Sequence, residues 1–150
     1  MASITDAMAV EHRVFLTVFD QIEGRLTARP GLAEVKFLAS LVTRLLESHG
    51  EREEDLSYAA LDQMLGERGP IDCLYQDHDE IDGRLAQIQV TQDLDAACRL
   101  LAATMTTARK HFQREERIIF PLIEATLHHG TLNDLGREWI HAQQIPVTHL

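Results

Sequence analysis

Cysteine is scarce in this 150-residue chain. Only Cys73 and Cys98 are present, too few for a disulfide framework or a thiolate metal site. With no disulfide framework to form, the cytoplasm is the default compartment. Basic side chains are short as well, 14 Lys and Arg against 24 Asp and Glu, for a formal net charge of −10. That balance argues against nucleic acid or an anionic membrane as a partner, and it suits a protein that gathers cations. No apolar run approaches the ~18 residues of a membrane span. The opening MASITDAMAVEHR has no basic region followed by an apolar run, so no secretory signal is read there. Strand-like alternation of useful length is missing, and so is any repeat at a fixed period. The length suits one domain, residues 1–150, with one core.

What is present is helical spacing. A first helix is expected over 4–28, with Ile4, Met8, His12, Phe15, Phe19, Ile22 and Leu26 on one face and Thr5 or Asp6 at its start. The segment ARPG, 28–31, stops it. A second helix starts near Gly31, carries Leu38, Leu41, Leu45, His49, Glu53, Leu56 and Ala60, and runs to about Leu65 with an irregularity at Gly50. A third begins near Pro70 and carries Ile71, Leu74, His78, Ile81, Leu85 and Ile88. The fourth is capped by Thr91 and carries Leu94, Cys98, Leu101, Met105, Ala108, His111, Glu115, Ile119 and Leu122. Pro121 kinks it or begins its last segment, and it ends near His128 and His129, which favour the negative end of a helix. A short helix over 131–140 with Trp139 finishes the chain. The expected fold is all-α, an antiparallel up-down-up-down four-helix bundle with a short C-terminal helix.

Each of the four stripes carries one histidine: His12, His49, His78 and His111. Two of them have a glutamate four residues later, Glu53 and Glu115, one turn on and pointing the same way. A lone histidine on an apolar face is ordinarily a core residue satisfied by one hydrogen bond. Two carboxylates on buried stripes are harder to explain, because burying each without compensation costs several kcal/mol. A cation reverses that penalty, and imidazole nitrogen is a good ligand for Fe, Zn and Cu. Four imidazoles and two carboxylates exceed the needs of one tetrahedral ion. They suit two ions, with each carboxylate able to bridge and a solvent-derived bridge between the metals. Open positions would then remain for a small molecule. Nitrogen and oxygen ligands with open positions favour iron, with manganese and zinc left as alternatives. Phe112 and Ile118 to Phe120 are expected to wall the centre. Tyr58 and Tyr75 fall near it, with ordinary packing as their expected role. His128, His129, His141 and His149 are not expected to be ligands.

The pieces EH (11–12), HGERE (49–53), DH (77–78) and HFQREERIIFPLIE (111–124) resemble the hemerythrin-like family, also called the HHE cation-binding domain. The resemblance runs over essentially the whole chain. It implies a non-haem diiron centre, oxo- or hydroxo-bridged, with His12, His49, His78 and His111 as iron ligands and Glu53 and Glu115 as bridging carboxylates. Oxygen-carrying hemerythrins have a further histidine four residues after the third-helix histidine, where this chain has Asp82. Their last carboxylate is an aspartate five residues after the histidine, whereas Glu115 stands at four. The chain therefore resembles the four-histidine bacterial members. These are linked to binding or reducing oxygen, peroxide or nitric oxide, in stress response or iron handling. An oxygen- or iron-sensing module without turnover is the alternative. None of the four stripe histidines has a ferritin-like glutamate three residues before it, the residues there being Ala9, Leu46, Tyr75 and Ala108, and no His-Glu-x-x-His motif occurs. Oligomeric state is not legible.

Overall fold

The computed structural model describes residues 2–66 and 71–142. Helix α1 spans Ile4–Thr27, α2 Leu32–Arg52, α3 Ala59–Leu65, α4 Asp72–Val90, α5 Leu94–Arg114, α6 Phe120–Thr126 and α7 His129–Ala142. Glu53–Tyr58 is a π-helical segment joining α2 to α3, and Glu115–Ile119 is a second one joining α5 to α6. The bundle is all-α as expected, with α7 as its short C-terminal helix. Local chemistry sets the ends. Ser3 caps α1, accepting from the Asp6 N–H while the Asp6 side chain accepts from the Ser3 N–H. Thr5, one of the two residues expected there, is buried instead and donates to Glu124. Asp93, not Thr91, caps α5. Pro121 begins the last segment, as one of the first residues of α6. His128 and His129 do not close a helix: α6 ends at Thr126, and His129 opens α7. The expected start at Pro70 lies outside the described residues.

The stripes of α1 and α4 match the sequence reading closely. That of α2 does not. The buried face is Val35, Ala39, Val42, Leu46 and His49, while Leu38 and Leu45 are half-buried and Leu41 is exposed. Both faces of α2 are apolar, and only the one in phase with His49 by steps of three and four reaches the centre. Past Glu53 the wider i→i+5 turn moves the stripe by one residue. Ser57, Tyr58 and Leu61 are buried where Leu56 and Ala60 were expected. The irregularity in this helix is therefore at Glu53–Tyr58, not at Gly50.

The core divides along the bundle axis. One apolar cluster gathers Phe19, Ile22, Val42, Leu85, Leu101 and Met105. The other gathers Ile4, Met8, Leu61, Leu74, Ile123 and Trp139. Between them, at positions 12, 49, 53, 78, 111 and 115, lies a polar layer. Helix α7 packs on α1 and closes the second cluster. Gly136 sits so close to the start of the chain that a Cβ there would fall 2.4 Å from the Ala2 carbonyl oxygen. Among the described residues no helix is long and apolar enough to cross a membrane.

Candidate metal centre

The two π segments aim the carboxylates. Each begins with a glutamate four residues after a stripe histidine, at the point where α2 or α5 ends. A π turn lets the residues four and five further on share the inward face with that glutamate. Hence Glu53, Ser57 and Tyr58 are all buried, and so are Glu115, Ile119 and Phe120. Ile118, expected in the wall of the centre, is turned out and 60% exposed.

The six expected ligands fall into two groups that share Glu53. His12, His49, Glu53 and Glu115 form one, and Glu53, His78 and His111 the other, with one ligand atom from each residue within 4.8 Å of the rest of its group. In every histidine Nε2 faces inward. His49 Nε2 lies 2.8 Å from Glu53 Oε1, and His78 Nε2 lies 3.0 Å from Glu53 Oε2. His111 Nε2 lies 3.1 Å from His78 Nε2 and 3.0 Å from Glu115 Oε1. His12 Nε2 is 3.5 Å from Glu115 Oε1 and 3.9 Å from Glu53 Oε1.

In every histidine Nδ1 faces an outer carboxylate. Glu116 takes His12 at 3.2 Å, Glu11 takes His49 at 2.6 Å, Glu54 takes His78 at 2.8 Å and Asp77 takes His111 at 3.0 Å. Ionised carboxylates only accept, so Nδ1 carries a proton in each, and Nε2 is the nitrogen whose lone pair a metal would take. The pairs close a ring around the bundle. Helix α1 serves α2, the first π segment serves α4, α4 serves α5, and the second π segment serves α1. Two arginines brace it: Arg52 donates to Glu11 at 2.8 Å and Arg114 to Asp77 at 2.8 Å. The ring reveals a duplicated code. HGEREE (49–54) and HFQREE (111–116) share His-x-x-Arg-Glu-Glu, and each follows an acid-His pair, Glu11-His12 or Asp77-His78. The residues play the same parts in both halves. A search for a fixed period misses this, because His12 to His49 spans 37 positions and His78 to His111 spans 33.

The metal-free layer is electrostatically loaded. Burial alone would raise Glu53, but the imidazoles of His49, His111 and His12 hold it well below the usual carboxylate range. Glu115 is pushed up by burial and by the charge of Glu53. Burial opposes charge on His49, yet Glu53 and Glu11 lift it to about 9. His111 and His78 are raised against burial too, His111 chiefly by Glu115 and Asp77, His78 chiefly by Glu53. Protons thus stand where cations would. Two atoms are left over: His12 Nε2 and Glu115 Oε1 are buried without a hydrogen-bond partner and face each other. Native interiors rarely leave such atoms bare, and one cation between them satisfies both. The donor set therefore fits a metal.

Tyr58 has a larger part than packing. Its hydroxyl donates to Glu115 Oε2 at 3.0 Å and Glu53 Oε2 at 3.2 Å, and lies 3.4 Å from His111 Nε2. Burial and the two carboxylates keep that hydroxyl protonated. Tyr75 packs edge-on against the Tyr58 ring at 5.4 Å. Trp139 sets its edge against His49 at 5.2 Å, and the Arg52 guanidinium lies 4.3 Å over the indole. The sequence reading missed Glu11, Glu54, Glu116, Arg52 and Arg114. Their signal was adjacency to a stripe residue on their own helix, while the partner each one serves lies on another. Asp82 is exposed and lines a cavity of about 190 Å³ that reaches His49, Glu53, His78 and His111. Burial and the like charges of Glu47, Asp79 and Glu54 raise its carboxyl. His128, His129 and His141 are exposed, and His149 lies outside the described residues.

A family model described as Hemerythrin, the hemerythrin HHE cation binding domain, matches residues 3–123. No curated protein and no solved structure matches the chain. Helix α7, with Trp139, lies beyond the matched stretch.

Proposed function

This chain belongs to the hemerythrin HHE cation-binding family, and on that premise we propose that it is a diiron protein that binds or reduces a small oxidant. Oxygen, peroxide and nitric oxide are the candidates, in stress response or iron handling. One hemerythrin-like domain over residues 1–150 would hold two non-haem irons, with room for a solvent-derived oxo or hydroxo group between them. His12 and His49 would hold one, His78 and His111 the other, with Glu53 and Glu115 as the carboxylates between them. The carrying observation is the pair of ligand groups sharing Glu53, with every Nε2 turned inward and every Nδ1 pinned outside. Nitrogen and oxygen donors with open positions suit iron better than a closed tetrahedral zinc site.

When bound there, a pair of ferrous ions would supply the electrons for reducing such an oxidant. The chain does the rest. The outer carboxylates hold the imidazoles in one tautomer. Phe112 and Phe120 lie flat against His12, with ring centres 4.2 and 5.6 Å away, and keep water from it. The Tyr58 hydroxyl offers a hydrogen bond to whatever negative charge develops between Glu53, Glu115 and His111. The net charge of −10 speaks against nucleic acid and anionic membranes as partners, and the cytoplasm is the proposed compartment. Anaerobic loading with ferrous iron tests the reading. Two irons per chain, one for each ligand group, and a visible band on adding oxygen or nitric oxide are expected. A protein that stays metal-free and colourless refutes it.

A sensing role is the second reading. It is favoured by the complete burial of Glu53 and Glu115, which ties metal occupancy to folding. Turnover assays separate the two: no consumption of peroxide or nitric oxide, with a large metal-dependent rise in melting temperature, favours sensing.

A further inference from the structure

We propose that the small-molecule position lies on the His78 and His111 side of the centre, and that Gly50 is the residue that creates it. The inference rests on the two-metal reading and deepens it. It comes from comparing the two halves of the duplicated code position by position.

One residue after the ligand histidine stands Phe112 in one half and Gly50 in the other. Five residues after the inner glutamate stand Phe120 and Tyr58. All four face the histidine of the helix packed against them. Phe112 stacks on His12 at 4.2 Å and 18°, and Phe120 stacks on its ring at 5.6 Å and 17°. Tyr58 stacks on His78 at 5.7 Å and 23°, as Phe120 does on His12. The matching second ring is missing. A Cβ on Gly50 would come within 3.6 Å of His78 Cε1 and Nδ1, so a benzyl group continuing from it would cover the imidazole. The cavity of about 190 Å³ lies there instead. One water needs about 10–15 Å³ of such space, so a diatomic molecule fits with room to spare.

The rest of the asymmetry runs the same way. His12 is fully buried and lines no part of the cavity, whereas the His78 side chain is 13% exposed; His49, edge-on to Trp139, meets the cavity from the other group. The one hydroxyl that distinguishes Tyr58 from Phe120 lies beside His111. His12 is thus covered on both faces where His78 is covered on one. Gly50 supplies the space, which His78, His111 and Glu53 line from the ligand layer.

The test uses the full chain loaded anaerobically with ferrous iron, and nitric oxide as the probe. Metal content, the association rate of nitric oxide by stopped-flow absorbance, and Mössbauer spectra are measured. Gly50→Leu is expected to keep both metals and to slow association at least about tenfold by filling the access route. Gly50→Ala, whose added carbon makes only ordinary contact with His78, is expected to fall between it and the wild type. In the wild type, the first equivalent of nitric oxide should alter one iron site and spare the other. Gly50→Leu with a full metal complement and the wild-type rate overturns the proposal. Simultaneous change at both iron sites of the wild type overturns it too, and needs no variant to fold. Failure of the two-metal reading would show separately, as a wild type holding fewer than two metals, and would take this inference with it.

Discussion

Neutralising Glu11 tests whether the outer carboxylates hold the site or merely decorate it. Glu11→Gln keeps the side-chain shape and removes its charge. Glu11 Oε2 lies 2.6 Å from His49 Nδ1 and Oε1 lies 2.8 Å from Arg52, with the side chain 15% exposed. Asp77 is similar, 3.0 Å from His111, 2.8 Å from Arg114 and 17% exposed. Glu54 and Glu116 serve their histidines at 2.8 and 3.2 Å but are 40% and 44% exposed. Losing the outer partner of a metal-bound histidine costs about 10–100-fold in metal affinity, or ~1.4–2.8 kcal/mol. Glu11→Gln belongs at the upper end, because it also strips Arg52 of its anion beside Trp139. Solvent screening puts Glu54→Gln and Glu116→Gln at or below the lower end. Chelator competition on the metal-loaded proteins gives the affinities, with circular dichroism to show the bundle intact. The expected order of loss is Glu11→Gln, then Asp77→Asn, then the two exposed positions. A smaller loss for Glu11→Gln than for Glu116→Gln refutes the reasoning.

Other outcomes follow from the same geometry. Tyr58→Phe removes the donor shared by Glu53 and Glu115 and should destabilise the metal-free protein by about 1–3 kcal/mol; an unchanged urea midpoint counts against that role. Gly136→Ala would drive a methyl group onto the Ala2 and Ser3 backbone, so it should cost about 1–3 kcal/mol and expose Trp139, read as a red shift in its fluorescence. His49 is raised from 6.5 to about 9, with His78 and His111 also raised. A raised histidine stabilises fully below its unfolded value and loses that contribution as pH rises through its folded one. The melting temperature of the metal-free protein should therefore fall between pH 6.5 and about 9, while metal affinity rises over the same window because ligation displaces those protons. A flat melting profile of the metal-free protein across that window contradicts the assignment.

The fold was legible because apolar spacing survives in α1, α4 and the middle of α5, where each stripe is read directly from steps of three and four; at the ends of the fourth stripe Leu94 is exposed and Cys98 and Leu122 only half-buried, with Ala97 and Ile123 buried instead. The histidines and glutamates of the inner layer were legible for the same reason. A histidine or glutamate on such a stripe is conspicuous, and a step of four is almost one turn. In α2 the reading slipped, since leucines at 38, 41 and 45 compete with Val35, Val42 and Leu46 and nothing local decides between them. The π segments left no signature that helical periodicity could catch, because each adds only a one-residue shift at its glutamate. The outer ring was hidden for a different reason. Glu11, Glu54, Asp77 and Glu116 act across helix boundaries, so their partners are 24 to 104 positions away. Only the repeated His-x-x-Arg-Glu-Glu string could have exposed it. The difference between Gly50 and Phe112 acquires meaning only once the two halves are superposed.

The central claim is that two metals sit in the polar layer between the two apolar clusters. Elemental analysis of the anaerobically iron-loaded wild type, with an optical spectrum before and after oxygen, tests it most directly. Two irons per chain are expected, one for each group sharing Glu53, with a new visible band after oxygen and loss of one or both irons in Glu53→Gln. A colourless chain that takes up no iron, or one whose iron content is unchanged in Glu53→Gln, contradicts it.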